Sequence, residues 1–399
     1  MDTLERRTDE PTADPAADPK RRRARRHLVR RIVLLVLVLV LVPIGWSYVA
    51  ALRAPGSAPL SARTVEWIKE HHGGPAVIWF EKVWYAWHKP PVGGAPSGGI
   101  PVAQGPARYE RRGSHNGSAL PAHLPAPVAI TPIAPHPLPH EGRWQAVGRT
   151  IDGSPAVRVT YLRPDPVHTS LLAGVMWMDT ELLRAHLIAG TQVPGGSWPA
   201  GYKIPRPMYP RLAATFNSGF LLRDSNGGFY LNGATAAPLA RGQASLVIYK
   251  NGMVDVGAWG TEVKMTPDVA AVRQNLWLLV NHGKPNRTLA TDPNVTWGVT
   301  VSGGVLVWRS GVGVTRDGAL VYVDGPGLSA SSLANLLIHA GAVRAMELDI
   351  NTDWTNGYYY GPAHTPTGFA AHPLLTSQFR PPTRYLVPDE RDFFVMTVR

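Results

Sequence analysis

The sequence predicts an α+β fold: a strand-rich mixed domain with few helices, preceded by a single transmembrane helix. Three observations predict it. A charge-free apolar run follows a block of arginines near the N-terminus, short alternating apolar runs with glycine turns recur from residue 141 onward, and one capped helical stripe interrupts them. With 44% hydrophobic and 17% charged residues over 399 positions, the chain can bury a large core. It has no cysteine, which excludes disulfides, thiolate nucleophiles and Cys-based zinc sites.

Much of the basic charge behind the formal +12 sits near the N-terminus, where "KRRRARRHLVRR" (Lys20 to Arg31) holds eight cations and no acid. "IVLLVLVLVLVPIGWSYVA" (Ile32 to Ala50) follows without a charge, and its 19 residues suffice to cross a bilayer's hydrocarbon at about 1.5 Å each. Residues 1–31 therefore read as a basic cytoplasmic tail and 32–50 as a signal-anchor helix, with the remainder outside by the positive-inside rule. A cleaved signal peptide is the rival, since Ala50 and Ala51 are small. A nucleic-acid arm would need no adjoining span, so no nucleic-acid partner is expected. Residues 51–89 contain "PAVIWFEKVWYAWHK" (Pro75 to Lys89), whose Trp79, Phe80, Val83, Trp84 and Trp87 form a helical stripe suited to a membrane interface or to packing on the domain. Residues 90–140 hold 12 prolines in 51 positions and read as an extended linker.

Residues 141–399 supply the core. "AVRVTYL" (Ala156 to Leu162) alternates as a strand does. "SLVIY" and "MVDVGAW" flank a turn at Lys250 to Gly252, "GVTVS" and "VLVW" flank Gly303 and Gly304, and another hairpin turns at "RDG" (Arg316 to Gly318). The clearest helix is "SASSLANLLIHAG", with Ser329 as N-cap, Leu333, Leu336, Leu337 and Ala340 on one face, and Gly341 as the stop.

Directly after that helix, "AVRAMELD" reads as a buried strand, which puts Glu347 and Asp349 on one face with Cα atoms about 6.6 Å apart. Two carboxylates so close raise each other's pKa when partly buried, a means of keeping an acid and a base at one pH. "RLAATFNSGF" carries a strand to Asn217, with a tight turn at Ser218 and Gly219. Arg309 lies inside the apolar "VLVWRSGVG", where a guanidinium needs either a structural carboxylate or a bound phosphate. "NLWLLVNHG" leads to Asn281 and His282. "FNSGF" is not a nucleophile elbow, because Phe216 stands where the glycine two residues before the serine is required.

"ATFNSGF", "RQNLWLLVNHG", "WRSGVGVTRDGALVYVDG" and "GLSASSLANLLIHAGAVRAMELD" together resemble the phosphodiester glycosidase domain family, over Ala213 to Asp349 and by extension residues 141–399. Where the family has Leu-Asp-Gly-Gly-Gly-Ser, this chain has Leu348 and Asp349 and then Ile350, Asn351, Thr352 and Asp353, a bulkier loop. The resemblance implies hydrolysis between a sugar's anomeric carbon and a phosphodiester, in a phosphate-containing glycan or glycopolymer. It implies Asp349 as nucleophile, base or electrostatic support, with Glu347 assisting and Arg309 holding the phosphate. Asn217, Gly219, Asn351, Asp353 and His282 would line the substrate, and Trp354 and Tyr358 would form a platform for the sugar. A rival is a non-catalytic envelope-polysaccharide-binding module. A third reading uses the oxygens of Asp349, Asn351 and Asp353 for a divalent cation such as calcium. The richness in Ala, Arg, Gly and Pro suggests a GC-rich bacterial gene.

Overall fold

A computed structural model describes residues 19–54, 56–75, 77, 79, 83, 87, 89–105, 108–110, 122–291, 297 and 306–399. The chain divides into two compact units, Met1–Ala54 and Pro55–Arg399. The first contains helix α1 (Pro19–Arg53), of which Arg23–Arg53 is long and apolar enough to cross a membrane. The basic run from Pro19 is thus helical and continuous with the apolar run, since arginine and lysine are good helix formers.

The second unit is strand-rich, with few helices, as the sequence predicts. Helix α2 (Leu60–Ile68) opens it. Six strands carry the argument: β1 (Leu212–Asn217), β2 (Val307–Thr315), β3 (Leu320–Leu328), β4 (Ala342–Glu347), β5 (Gly357–Pro362) and β6 (Phe393–Val398). Between β3 and β4 lies helix α3 (Ala330–His339), where Ser329 and Ser332 form a reciprocal capping box and Gly341 takes φ +93° just beyond the end. β2 and β3 form the hairpin expected at Arg316 to Gly318.

Among the described residues, β2, β3 and β4 belong to a nine-stranded sheet in which β3–β2–β4 are consecutive neighbours. A five-stranded sheet contains Ala244–Tyr249 paired with Val254–Ala258, the hairpin expected about Lys250 to Gly252. Another five-stranded sheet has the order Phe369–Pro373, β5, β1, β6, Leu183–Ile188. Val312, Tyr322 and Met346 of the first sheet meet Leu246 of the second and Phe216 and Phe394 of the third in one apolar cluster. The opposite face of the nine-stranded sheet packs on α3 through Val321, Val323, Leu333 and Leu337. One face of each strand therefore looks at α3 and the other at the third sheet, a division set by the two-residue alternation.

One expectation changes. Residues 90–140 are not a free spacer in their described part. Ile100, Ile130 and Ala134 are buried, Ala103 N donates to Gln145 Oε1 at 2.8 Å, and Ile130 N donates to Gly142 O at 2.9 Å. Proline makes such a chain extended, yet its sparse apolar residues still find the domain surface, and the compact unit begins at Pro55 instead of Glu141. The hairpin about Gly303 and Gly304, and most of the aromatic helix at 75–89, lie outside the described residues.

Candidate active site

Asn217 ends β1, and its side chain joins three elements. Its Nδ2 donates to Ser310 Oγ at 3.0 Å, and its Oδ1 accepts from the Tyr322 hydroxyl at 2.8 Å and from Asn356 N at 3.0 Å. Ser310 lies opposite Asp324 in the β2–β3 register, so these two side chains share the face turned to β1. Ser310 N donates to Asp349 O at 2.9 Å, and Asp349 N donates to Ser310 Oγ at 3.2 Å. β4 stops at Glu347, but these bonds carry the pairing on to Asp349 and fix that residue beside the Asn217 cluster.

Asp349 is 5% exposed, and burial pushes its pKa up to about 6, against the opposing influence of Arg391, the Asn351 and Ile350 amides, and Arg384. Asn351 N donates to Asp349 Oδ1 at 2.9 Å and Asp353 N to Asn351 Oδ1 at 2.8 Å, two successive side-chain turns that fold the loop where the family has glycines. Asp324, which the sequence reading missed, is fully buried. Its Oδ2 accepts from Gln378 Nε2 at 2.5 Å and lies 3.3 Å from the Tyr322 hydroxyl, and burial raises its pKa to about 7. Among the described residues, Asp324 Oδ1, Gln378 Oε1 and Ser218 Oγ are buried without a hydrogen bond. Buried polar atoms are normally partnered, so orphans gathered around Asn217 mark a place where a polar ligand would be received.

Arg309 and Glu347 are placed differently from expectation. Glu347 lies opposite Gly311, and Gly311 abuts Leu333 and Leu337, so Glu347 and Arg309 share the α3 face. There Arg309 Nη1 meets Glu347 Oε1 at 2.5 Å and Trp297 O at 3.0 Å, while Nε donates to Leu328 O at 2.9 Å. Arg309 is 1% exposed. Its anionic partner among the described residues is Glu347, the structural-carboxylate alternative of the two that the sequence leaves open. Burial raises the Glu347 pKa to about 7 despite that pairing.

Trp354 and Tyr358 form no open platform. Trp354 is 4% exposed and is covered by the guanidinium groups of Arg391, Arg384 and Arg380 at 4.7, 5.0 and 5.5 Å from its ring. Tyr358 is fully buried, donates to Arg380 O at 3.0 Å and packs edge-on against Tyr385. The apolar bulk that suggested a sugar contact is used in the core instead. His282 sits in the turn after Leu278–Asn281 at φ +51°, and Gly283 N donates to Val343 O at 2.9 Å. That is the start of β4, the far end from Asp349. Of the oxygens read as cation ligands, Asp349 Oδ1 and Asn351 Oδ1 accept from the loop's own amides, and no group of three or more His, Cys, Asp or Glu side chains that could hold a metal occurs among the described residues.

Gly219 is required by its neighbour. A Cβ there would lie 2.7 Å from Asn275 Cγ, and Asn275 ties the turn to the sheet by accepting from Phe220 N at 3.1 Å and donating to Glu347 O and Leu348 O at 2.9 and 3.0 Å. The arginine cluster was also missed. Arg384 grips Asp389 through two bonds of 2.6 and 2.8 Å, and Arg391 Nη2 meets Glu66 Oε1 of α2 at 2.7 Å. Ala58 N donates to Glu390 Oε1 at 2.9 Å, and Ala58 and Ala62 pack on Trp354. Segment 56–68 thus covers the arginines beside Asp349.

Residues 211–349 match the phosphodiester glycosidase family. The resemblance read from the sequence motifs is borne out over that segment, which runs from the start of β1 to Asp349 and contains Asn217, Ser310 and Asp324. No curated protein matches the chain. Among solved structures, the zebrafish N-acetylglucosamine-1-phosphodiester alpha-N-acetylglucosaminidase catalytic domain, auto-inhibited by its pro-peptide, is 14% identical. The match covers 64% of this chain and 88% of that one at a TM-score of 0.40. A hypothetical protein from Synechocystis is 12% identical over 63% and 64% of the two chains, with a TM-score of 0.35. A protein from Burkholderia pseudomallei K96243 is 11% identical over 59% and 75%, with a TM-score of 0.34.

Proposed function

We propose that this chain is a membrane-anchored, extracytoplasmic hydrolase that cleaves the bond between a sugar's anomeric carbon and a phosphodiester, in envelope glycopolymers or related glycans. The observation that carries the reading is Asp349. It is a carboxylate at a strand end, fixed by Ser310 and Asn351, beside a buried polar cluster with orphaned atoms. The family match at 211–349 supports the reaction class. The apolar helix Arg23–Arg53 after a basic run supports an anchor with the remainder outside.

In this mechanism the C1–O bond breaks, its electron pair leaves with the phosphate, and water supplies the new oxygen on C1. A phosphate leaves readily, so a cation at its oxygens can replace a general acid. Arg391 is the cation whose charge most favours ionised Asp349, and holding the phosphate would require it to leave its ion pair with Glu66. Ionised Asp349 supports the oxocarbenium-like transition state and accepts the proton from water. Asp324 receives a sugar hydroxyl through its unpaired Oδ1, while Asn217, whose amide is fully hydrogen-bonded to Ser218, Ser310, Tyr322 and Asn356, holds the cluster in place.

A second reading, a polysaccharide-binding module without turnover, is favoured by the loop Ile350 to Asp353, which closes over Asp349 where glycines would leave it open. Incubating the full chain with a panel of sugar 1-phosphodiesters separates the two. Release of reducing sugar and a phosphate monoester is the expected result, binding without release supports the module, and neither binding nor release would sink both.

A further inference from the structure

Between Leu183–Ile188, at the edge of the third sheet, and the second sheet lies a cavity of about 860 Å3. This groove shares Asn232, Lys250 and Ala270 with a separate cavity of about 610 Å3 on the side of the second sheet where Tyr230 and Val269 pack. The larger volume falls in the span of roughly 300 to 1,000 Å3 usual for small-molecule sites. None of the residues assigned to the candidate active site lines it.

The walls are mostly aliphatic, with Leu187, Ile188, Met208, Leu231 and Ile248 among them. Trp198 closes one side, held by its indole N–H to Gly195 O at 2.6 Å and by edge-on packing on Phe229. His186 adds an uncharged ring, since burial, then Arg184 and Arg211, hold its pKa down to about 4. Two cations line the groove, half-buried Arg184 and exposed Lys250. No Asp or Glu lines either cavity, and neither cation forms an ion pair among the described residues.

Uncompensated cations over an aliphatic trough discriminate between ligand classes. A glycan would need several amides and carboxylates for its hydroxyls, and a neutral lipid would leave both cations unused. A molecule with one long apolar chain and an acidic head satisfies walls and charges together. We propose that this groove binds an anionic amphiphile, its chain lying along Leu187, Leu231 and Ile248 and its acidic head held by Arg184 and Lys250. The head could be a carboxylate or a phosphate monoester, which share this chemistry.

The test uses the full chain in nanodiscs of zwitterionic lipid, with diazirine-bearing hexadecanoic acid, hexadecyl phosphate and hexadecanol as probes. Photolabelling should map to Leu183–Ile188 and to the segments around Leu231 and Ile248, strongly for one or both acids and weakly for the alcohol. The stronger acid identifies the head group. Combined Arg184→Glu and Lys250→Glu should lower groove labelling by about tenfold or more through loss of charge-assisted bonds. Lys250→Glu alone, on an exposed turn, serves if the double variant does not fold. Labelling that avoids the groove, is equal for the alcohol, or survives charge reversal would overturn the proposal.

Discussion

Glu347 and Asp349 stand two residues apart, yet they face different surroundings. Glu347 has Arg309 at 2.5 Å on the α3 side of the sheet, where both are essentially inaccessible to water. Removing one partner leaves a buried charge uncompensated, so Arg309→Met should destabilise by about 3–5 kcal/mol in urea unfolding. Adding Glu347→Gln should recover much of that loss. A variant that keeps full stability but no longer binds a phosphodiester would return Arg309 to the substrate. Asp324 predicts a pH dependence. Its pKa rises from 3.8 to about 7 on folding, so the folded state holds more protons between those values and stability from this group falls as pH rises through them. Asp324→Asn removes the effect. Relative to wild type, the variant should therefore gain stability from pH 4 to pH 8, read from urea midpoints at each pH. An unchanged difference would mean that Asp324 titrates normally. Asp349, with a pKa of about 6, should make turnover rise with pH through that value.

At the scale of elements, the turn after β1 meets the site through Gly219 and Asn275. Gly219→Ala would push a methyl to 2.7 Å from Asn275 Cγ and loosen the bonds from Asn275 to Glu347 O and Leu348 O. It should cost about 1–3 kcal/mol by overpacking and lower turnover further by shifting Asp349. Wild-type stability and turnover in this variant would show that the close approach is dispensable. The elements themselves were legible where one local signal sufficed: alternation for β1 and β4, an Arg-Asp-Gly turn for β2–β3, a serine cap and glycine stop for α3. Asp324 carries the same signal as Asp349, an acid directly following an apolar strand segment, here "LVYV". Arg309 could be read as needing an anion. Which anion depended on the strand face, fixed only by the pairing of Gly311 with Glu347. Arg380, Arg384 and Arg391 lie far along the chain from Ala58 and Glu66, and no local pattern brings them together.

For the whole molecule, the compact unit begins at Pro55, and α2 contributes Glu66 to Arg391 while Ala58 N contributes to Glu390. A chain starting at Glu141 loses these partners and the buried Ile100 and Ile130, so it should melt at lower temperature than one starting at Pro55. Equal melting would show that residues 55–140 are dispensable. Protease added to intact, wall-stripped cells should remove the unit Pro55–Arg399 while leaving α1 in the membrane. A protected unit would contradict the topology, and a mature chain beginning near Ala51 would contradict the anchor. The proposed activity depends most on Asp349. The direct measurement compares wild type and Asp349→Asn, as full chains, for release of reducing sugar from a sugar 1-phosphodiester that the wild type cleaves. The substitution keeps the size and removes the charge, so turnover should fall by about a thousandfold or more with little change in melting temperature. Equal turnover by the asparagine variant would contradict the assignment of Asp349 as the group that performs the chemistry.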